Sequence, residues 1–237
     1  MMEGSEARIR GRGHPVIDRE VMVETALGLL DEVGLEGLSM RRLAERLGVK
    51  AASLYWHVRN KGELLGLLAD EICAGVQEPG PDLPWREKLE TLVQENRRVL
   101  LLHRDAARIL AGTVPSGPNR LRLAEIMLGT LLGAGFSRLD AVRAAFLLVD
   151  YATHFVAEET MFAGVGTAND SGKWEELVEA RRRFETLPEA EYPLAVALAG
   201  YLTDPDTNGR FEFGLEALLN GLERKLASGG SIGEPSG

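Results

Sequence analysis

Apolar residues recur along this chain every three or four positions, the spacing that places them on one face of an α-helix. The sustained alternation of apolar and polar residues that is typical of a β-strand is nearly absent. The pattern predicts a first helix over 18–33, which Asp18 caps and Gly34 stops. Further helices are predicted over 85–103, 105–111, 118–133, 138–161, 173–186 and 208–227.

Between the first of these helices and the rest, residues 39–57 predict two short helices joined by a tight turn. Ser39 can cap the first short helix, and Gly48 supplies the backbone freedom that the turn requires. Val49 and Leu54 are expected to point inward and to fix the crossing of the two helices. This arrangement is typical of a helix-turn-helix, whose second helix enters the major groove of DNA.

Three segments interrupt the helical pattern. QEPGPDLP, at 77–84, contains three prolines and a glycine and follows a helix that Asn60 is placed to cap. The stretch 163–172 is rich in Gly and Ala, and 228–237 has the composition of a disordered tail. We see no internal repeat.

The charge of the chain is unevenly distributed. The net charge is −9, which argues against a protein that coats nucleic acid by charge alone. Residues 1–61 hold 10 Lys/Arg and 9 Asp/Glu, a balance of +1, whereas 62–237 hold 17 and 27, a balance of −10. The more basic start indicates nucleic-acid contact there. The single cysteine, Cys73, excludes an internal disulfide and fits the cytoplasm, and no signal peptide or membrane span is expected.

Four segments carry a resemblance to a known family. The segment GLEGLSMRRLAERLGVKAASLYWHVRNKGELL, at 34–65, closely resembles the DNA-binding domain of the tetracycline-repressor (TetR) family. The segments RRVLLLHRDAARILAGTVP, GAGFSRLDAV and FEFGLEALLNGLE resemble the ligand domain of the tetracycline repressors. The resemblance implies an all-α fold with a helix-turn-helix domain at 16–62 and a helical ligand-binding and dimerisation domain at 63–227. A flexible basic arm, 1–15, and the tail, 228–237, flank these domains.

The resemblance also implies a double-stranded DNA operator as partner. Tyr55, His57 and Lys61 are expected to contact phosphates, which set position and affinity but carry no base sequence. Readout of bases is expected from Arg41, Ala51, Ala52 and Ser53, and an arginine–guanine pair contributes roughly 1–3 kcal/mol of discrimination. Lys50 and Trp56 complete the predicted DNA-binding set. Packing in the three-helix core is the competing interpretation of the aromatic residues, above all of Trp56.

Two features of this end of the chain concern the operator. Tetracycline repressors carry a polar residue and a proline where this chain has Ala51 and Ala52, so we expect a different operator. Because the family binds as a dimer, that operator should be palindromic. Arg8, Arg10 and Arg12 are interpreted as part of a solvated tail, and an arm in the minor groove is the alternative.

Two of the later helices carry more apolar surface than one buried face requires. The helix over 138–161 has two apolar stripes, so it must be buried on more than one side. The helix over 208–227 spaces its leucines as for a partner helix. The resemblance implies a homodimer made as a four-helix bundle from these two helices of each subunit, and an intrachain core is the competing explanation.

Several substitutions bear on the ligand. Tetracycline repressors hold a magnesium chelate of tetracycline through a helix histidine, and the matching position here is Leu110. Val114 replaces the nearby arginine, and Glu158, which matches the metal-side glutamate, makes a poor Mg²⁺ site without that histidine. We therefore expect an apolar or amphipathic inducer, no metal and no cofactor. The predicted ligand-binding residues are Asn96, His103, Leu110, Thr113, Val114, Phe146, Tyr151 and His154. For either histidine, partial burial with one satisfied nitrogen is the competing interpretation.

These observations together predict a cytoplasmic, ligand-responsive repressor that a small molecule releases from its operator. The alternative is a helix-turn-helix regulator without an inducer, whose C-terminal half only dimerises. An enzyme is disfavoured because the chain lacks the HExxH, CxxC, P-loop and GxSxG motifs.

Overall fold

The structure, a computed structural model, describes residues 18–163 and 170–228, without the side chains of 161–163 and 170–174. The predicted arm with Arg8, Arg10 and Arg12, most of the stretch 163–172 and all but the first residue of the tail lie outside the described residues. Every regular element in the described ranges is a helix, so the all-α prediction is confirmed. The helices are α1 Arg19–Gly37, α2 Met40–Leu47, α3 Ala51–Leu54, α4 Lys61–Ala74, α5 Trp85–Leu102, α6 Ala106–Ala111, α7 Pro118–Gly133, α8 Arg138–Ala163, α9 Asp170–Glu185, α10 Pro193–Ala197, α11 Ala199–Leu202 and α12 Thr207–Ala227.

Three helices of the N-terminal part are capped at their N-termini by the polar side chains that the sequence pattern predicts. Asp18 accepts from the Glu20 N–H at 3.3 Å, Ser39 from the Arg42 N–H at 3.3 Å and Asn60 from the Glu63 N–H at 2.9 Å. Each of these bonds satisfies a backbone donor that the first helical turn leaves free. The three caps set where α1, α2 and α4 begin.

Glycines interrupt or end the first two helices. At Gly34 the chain leaves helical geometry, with φ of 70°, but the helix resumes and runs on to Gly37. The predicted end at Gly34 was therefore about one turn early. Gly48 ends α2 with φ of 68°, in the left-handed region that glycine adopts without the steric cost of a side chain.

Helices α1 to α4 form a small head around one apolar core. Leu30, Leu43, Leu54 and Leu64, one from each helix, have no or almost no exposed surface. Val58, which follows α3, is also buried, at 1% exposed. Val49 is only partly buried, so Leu54 and Val58 anchor α3 more firmly than the predicted pair of Val49 and Leu54.

The second part of the chain builds a larger helical body in which α5 packs along α8, with α6, α7 and α12 around them. Leu89, Leu100, Leu131 and Leu148 are fully buried at its centre. The same apolar cluster is continuous with the core of the head, because α4 contributes side chains to both.

An aromatic cluster and a neighbouring ion pair lie between α5, α8 and α12. Tyr151 stacks on Phe211 with 5.2 Å between ring centroids, and the guanidinium carbon of Arg97 lies 4.6 Å from the Phe211 ring centroid. Arg97 also pairs with Glu159 at 2.9 Å, and both side chains are about nine-tenths buried, at 12% and 11% exposed. The cluster fixes α12 against α5 and α8.

The two shortest late helices, α10 and α11, are the elements that the apolar pattern does not predict, because four or five residues show no periodicity. They pack chiefly on α9 and on each other. Several large apolar side chains of this region are exposed, namely Tyr192, Leu194, Leu198, Tyr201 and Leu202.

Candidate DNA-binding face and ligand cavity

The turn between α2 and α3 has the geometry of a helix-turn-helix. The Val49 N–H donates to the Ala44 carbonyl at 3.0 Å, and Gly48 between them takes the left-handed conformation. Ala44 is 3% exposed, and its small side chain lets the two helices approach. Leu54 then holds α3 on the core, so the opposite side of α3 faces solvent.

The solvent side of this motif carries most of the predicted DNA-binding residues. Arg41 projects from α2 with its side chain 87% exposed and pairs with Glu45 at 2.8 Å. On α3 and its ends, Lys50, Ala52 and Tyr55 are exposed, and Ser53 and His57 are half-buried. Ala51 packs partly against the core, so Ala52 is the alanine with more surface for a base.

Trp56 is the most exposed large apolar side chain of the motif, at 86%. Packing of Trp56 in the three-helix core was the wrong interpretation, because Leu54 and Val58 fill that space. An indole that remains outside the core is available to a partner, as is the exposed ring of Tyr55.

Lys61 has a contact within the head. Its Nζ donates to the Leu35 carbonyl at 2.9 Å, and the side chain is partly buried. This bond ties the start of α4 to the last turn of α1. The predicted phosphate role therefore rests on the remaining donors of an ammonium group that the fold already uses.

In the body, a cavity of about 370 Å³ lies between α4, α5, α6, α7 and α8. Its walls are almost entirely apolar, and Asn96 and Arg120 are the polar exceptions besides the thiol of Cys73. Burial raises the pKa of that thiol to about 11, so it is protonated at neutral pH and behaves as an apolar surface. The volume lies in the range of small-molecule sites.

The cavity brings together three of the eight predicted ligand-binding residues, Asn96, Leu110 and Phe146. Leu92 and Val149 line it as well. The Asn96 amide has no hydrogen-bond partner among the described residues, so it is free for a ligand. Phe146 is 65% exposed and lies where the cavity meets solvent.

The other five predicted ligand residues lie outside these walls. His103 ends α5 with Nδ1 3.0 Å from Asp31 of the head, and His154 is exposed with Nδ1 2.8 Å from the Asp150 carbonyl of its own helix. Tyr151 donates to the Phe211 carbonyl at 2.7 Å. Thr113 donates to the Ile109 carbonyl at 2.8 Å, and Val114 is 81% exposed.

The described residues of the cavity walls include no histidine, aspartate or glutamate side chain that could hold a magnesium chelate. Leu110 presents only an aliphatic side chain, and Glu158 pairs with Arg210 at 3.1 Å, away from the cavity. Among the described residues, no three His, Cys, Asp or Glu side chains are grouped as metal ligands. None of the helices that the structure describes is long and apolar enough to cross a membrane.

Arg120, which the apolar pattern did not mark, joins the cavity to the α6–α7 loop. Its guanidinium donates to the Thr113 hydroxyl at 2.9 Å and to the Thr113 and Leu110 carbonyls at 3.2 and 3.5 Å. Its backbone N–H donates to Asp70 of α4 at 2.9 Å, and the Asn119 amide donates to the same carboxylate at 3.1 Å. Asp70 is 7% exposed, so α4 and the start of α7 meet through a buried polar contact.

A second polar contact joins head and body directly. Asp105, which starts α6 with φ of 57°, accepts from the Leu35 N–H at 2.8 Å, and Asp31 accepts from the Arg104 N–H at 2.9 Å. Arg108 reaches Glu36 at 3.0 Å. Burial alone would raise the pKa of Asp105, but the hydrogen bonds from Leu35 and Arg108 outweigh it, and the pKa is lowered. These contacts tie the last turn of α1 to the start of α6.

Comparison with known proteins matches both parts of this architecture. The family described as "Bacterial regulatory proteins, tetR family" matches residues 22–68, and "Tetracyclin repressor-like, C-terminal domain" matches 78–226. The tetracycline repressor protein class C of Escherichia coli is 38% identical over 211 residues, which cover 88% of this chain and 91% of that protein.

Solved structures agree with the sequence relatives. Apo ActR from Streptomyces coelicolor superposes with a TM-score of 0.79 at 35% identity, covering 91% of this chain and 99% of that one. ActR in complex with actinorhodin gives a TM-score of 0.78 at 35% identity, covering 89% and 98%. The two family matches, the helix-turn-helix head and the helical body with its cavity agree, and the chain belongs to the TetR family of bacterial transcriptional regulators.

Proposed function

We propose that this protein is a homodimeric repressor that an apolar or amphipathic small molecule, other than a magnesium–tetracycline chelate, releases from a palindromic operator. The observation that carries the proposal is the course of α4. Leu64 and Leu68 of this helix lie in the core of the head, while Cys73 and Val76 at its other end line the cavity. A ligand in the cavity therefore touches the element that positions the DNA-binding face.

The proposed DNA contacts follow the exposure of the head. Arg41, Ala52 and Ser53 are the proposed base-reading residues. Tyr55 and Trp56, which are exposed, and His57, which is half-buried, are proposed to contact the DNA backbone. Lys50 adds a positive charge at the start of α3. The proposed boundary between the two domains, at residue 62, falls in the first turn of α4, so that helix belongs to both.

The proposed ligand class follows from the walls of the cavity. Leu92, Leu110 and Val149 favour an apolar scaffold, and burial of apolar area contributes roughly 25 cal/mol per Å². Asn96 can orient one polar group of that scaffold. ActR, at 35% identity, is solved with actinorhodin and with (S)-DNPA, which supports a cavity that takes a small molecule.

The proposed dimer surface lies on α8 and α12. Leu139, Val142, Phe146 and Leu147 of α8 and Phe213 of α12 are 42% to 77% exposed in the single chain. A second copy that covers these side chains removes their apolar surface from water. Because Val142 and Phe146 also line the cavity, dimerisation would complete its wall.

Release requires that the ligand prefers the conformation with weaker operator affinity, since only a differential affinity shifts the equilibrium. Movement of α4 at Cys73 and Val76 is transmitted to Leu64 and Leu68 as a rigid helix. In a dimer the distance between the two copies of α3 must then change. The two helices no longer match half-sites that lie about one DNA turn apart.

Selection of bound sequences from random duplex DNA, at a stated salt concentration, tests the operator half of the proposal. We expect a palindrome of two half-sites. Arg41→Gln should relax the preference at one base pair per half-site by roughly 1–3 kcal/mol. Arg59→Gln is the matched control, because Arg59 is also 87% exposed and also pairs with a glutamate four residues on. If the selection enriches no sequence, the proposal is overturned.

A thermal-shift screen of apolar compounds, followed by operator release, tests the ligand half. A specific ligand raises the unfolding midpoint by mass action. Ala124→Trp should fill part of the cavity and abolish that shift while operator binding persists, because Ala124 lines the cavity but is exposed. Operator binding without any ligand-dependent release would favour a regulator whose body only dimerises.

A further inference from the structure

The cavity has one cationic side chain in walls that are otherwise almost wholly apolar. Arg120 comes from the first turn of α7 and lines the cavity, and its guanidinium donates to Leu110 and Thr113 at the end of α6. Apolar surroundings withdraw water from the guanidinium, and this burial lowers the pKa of Arg120. A desolvated charge is costly unless a counter-charge or hydrogen bonds compensate it.

The protein supplies hydrogen bonds but no ion pair for this charge. Among the described residues, no carboxylate oxygen lies within 4.0 Å of the Arg120 guanidinium nitrogens. The charge of Asp70 attracts the guanidinium, but burial outweighs this attraction, and the two Asp70 oxygens accept from the Arg120 backbone N–H and from Asn119. The thiol of Cys73 is neutral because its pKa is about 11.

The guanidinium also has N–H donors that are not hydrogen-bonded within the described residues. Of its five N–H groups, the two on one terminal nitrogen reach the carbonyl and hydroxyl of Thr113, and one on the other reaches the Leu110 carbonyl at 3.5 Å, the long limit of a hydrogen bond. The Nε–H and one terminal N–H have no partner among the described residues. The Nε–H and a terminal N–H on the same side of the planar group form the edge that can bind a carboxylate in a bidentate manner.

We propose that the inducer of this protein is an acid, an amphipathic molecule with a carboxylate or similar oxyanion, and that Arg120 binds this group while the apolar walls hold its scaffold. The inference rests on the proposed function and narrows its ligand class. The anion supplies a counter-charge in direct contact with the guanidinium, which Asp70, bonded to the Arg120 backbone and to Asn119, does not. Asn96, across the walls on α5, is free to accept or donate to a second polar group of the same molecule.

The position of Arg120 connects this recognition to the loop that ends α6. An anion bound to the two unpaired donors draws the guanidinium inward, away from the Leu110 and Thr113 carbonyls. The longest of these bonds, to Leu110 at 3.5 Å, is the first to be lost. Binding of the acid thus loosens the end of α6 next to the Asp70 contact with α4.

A matched pair of probes tests the inference on the full-length protein. Anthracene-2-carboxylate and the neutral anthracene-2-carboxamide share one flat apolar scaffold and differ in charge. Dissociation constants from calorimetry should favour the carboxylate by about tenfold or more in the wild type, the scale of a charge-assisted hydrogen bond. Arg120→Gln should reduce this ratio to within about threefold of unity, and Arg120→Lys should keep part of it, since lysine retains the charge but not the planar fork.

Arg122→Gln is the control for the loss of one positive charge. Arg122 lies two residues further along α7 and pairs with Glu78, outside the cavity walls. It should leave the ratio of the two dissociation constants unchanged. If Arg120 only clamps the α6–α7 loop, Arg120→Gln lowers the unfolding midpoint and leaves the ratio intact, and the inference is wrong.

The wild type alone also decides the matter. Equal affinity for the two probes, or no binding of the carboxylate, overturns the inference whether or not the Arg120 variants fold. Operator selection and release by a neutral apolar ligand are independent of both probes, so the repressor proposal can stand while the acid preference fails.

Discussion

The close approach of Asp70 to Gly117 provides a test of how α4 is joined to the body. Asp70 of α4 is 7% exposed and accepts from Arg120 and Asn119 at the start of α7. Gly117 just before α7 has φ of −89° and ψ of 160°, a conformation that alanine adopts freely. A Cβ at this position, however, would lie only 2.1–2.5 Å from the carboxyl atoms of Asp70. Gly117→Ala therefore expels the carboxylate.

The structure allows the cost of each change to be worked out. Asp70→Ala removes two hydrogen bonds to a buried carboxylate and leaves the Arg120 N–H unpaired, a loss of roughly 2–3 kcal/mol. Gly117→Ala breaks the same bonds by displacing the carboxylate, so we expect a loss of about 2 kcal/mol. In the double variant the obstructing atoms are already gone. Gly117→Ala should then be neutral or stabilise by up to about 0.5–1 kcal/mol through the unfolded chain.

The double variant should thus be destabilised by about 2 kcal/mol rather than by the sum of about 4–5 kcal/mol, an interaction energy of roughly 2–3 kcal/mol. Urea unfolding followed by circular dichroism, at one fixed protomer concentration, measures all four corners of the cycle. Gly28→Ala is the control, because nothing lies within 4 Å of a Cβ at this exposed helical position. It should stabilise by about 0.5–1 kcal/mol. Additivity of the two changes to within about 0.5 kcal/mol would refute the reasoning.

Three further predictions concern single side chains. Asp105→Asn keeps a residue type that tolerates φ of 57° but weakens the bonds to Leu35 and Arg108, so it should cost about 1 kcal/mol at pH 7. Because the pKa of Asp105 is lowered in the fold, its contribution is complete above the ordinary value of 3.8 and is lost as the pH falls below that, and the difference between variant and wild type in urea unfolding should disappear there. Cys73, whose pKa rises from 9.0 to about 11, should react with iodoacetamide at least about 100-fold more slowly in the native protein than in urea, and equal rates would contradict its burial. Trp56→Ala should change the free energy of unfolding by less than about 0.5 kcal/mol, since the side chain is 86% exposed, while operator affinity by fluorescence anisotropy should fall.

Two physical connections link the cavity to the DNA-binding face. Helix α4 is continuous from the cavity wall to the core of the head, so a displacement at one end is carried along a rigid element. The contacts of Asp31 and Asp105 join the end of α1 to the start of α6 independently of α4. Asp70 and Arg120 lie where the α4 connection meets the α6–α7 loop. The Asp70→Ala and Asp105→Asn variants therefore separate the two connections in an operator-release assay.

Local chemistry along the sequence was enough to predict the helices and the motif that reads DNA. Asp18, Ser39 and Asn60 cap the helices that they were expected to cap, since a cap depends on residues two or three positions away. Gly48 makes the predicted turn for the same reason. The bounds of α7, 118–133, agree at both ends with the pattern, where Pro118 begins the helix. Helices α10 and α11 were not predicted, because a helix of four or five residues is too short to show a repeat of apolar positions.

The position of a side chain relative to distant elements was beyond the sequence pattern. Packing of Trp56 in the core was a competing interpretation of the sequence, yet Leu54 and Val58 occupy that space. Only the packing of three helices decides which of these neighbours is buried. His103, Tyr151 and His154 lie on the expected helices but point to Asp31, Phe211 and Asp150 instead of the cavity.

The sequence by itself therefore determined the helical class, the caps, the helix-turn-helix and the family, because each depends on residues close together in the chain. The tertiary structure decided the composition of the ligand cavity. Its lining residues come from five helices and the loops beside them, and they are spread along the sequence from Cys73 to Val149. Arg120 shows the difference most clearly. Its place in an apolar wall, bonded to the α6–α7 loop and to α4, arises from contacts between elements up to fifty residues apart, which no local pattern records.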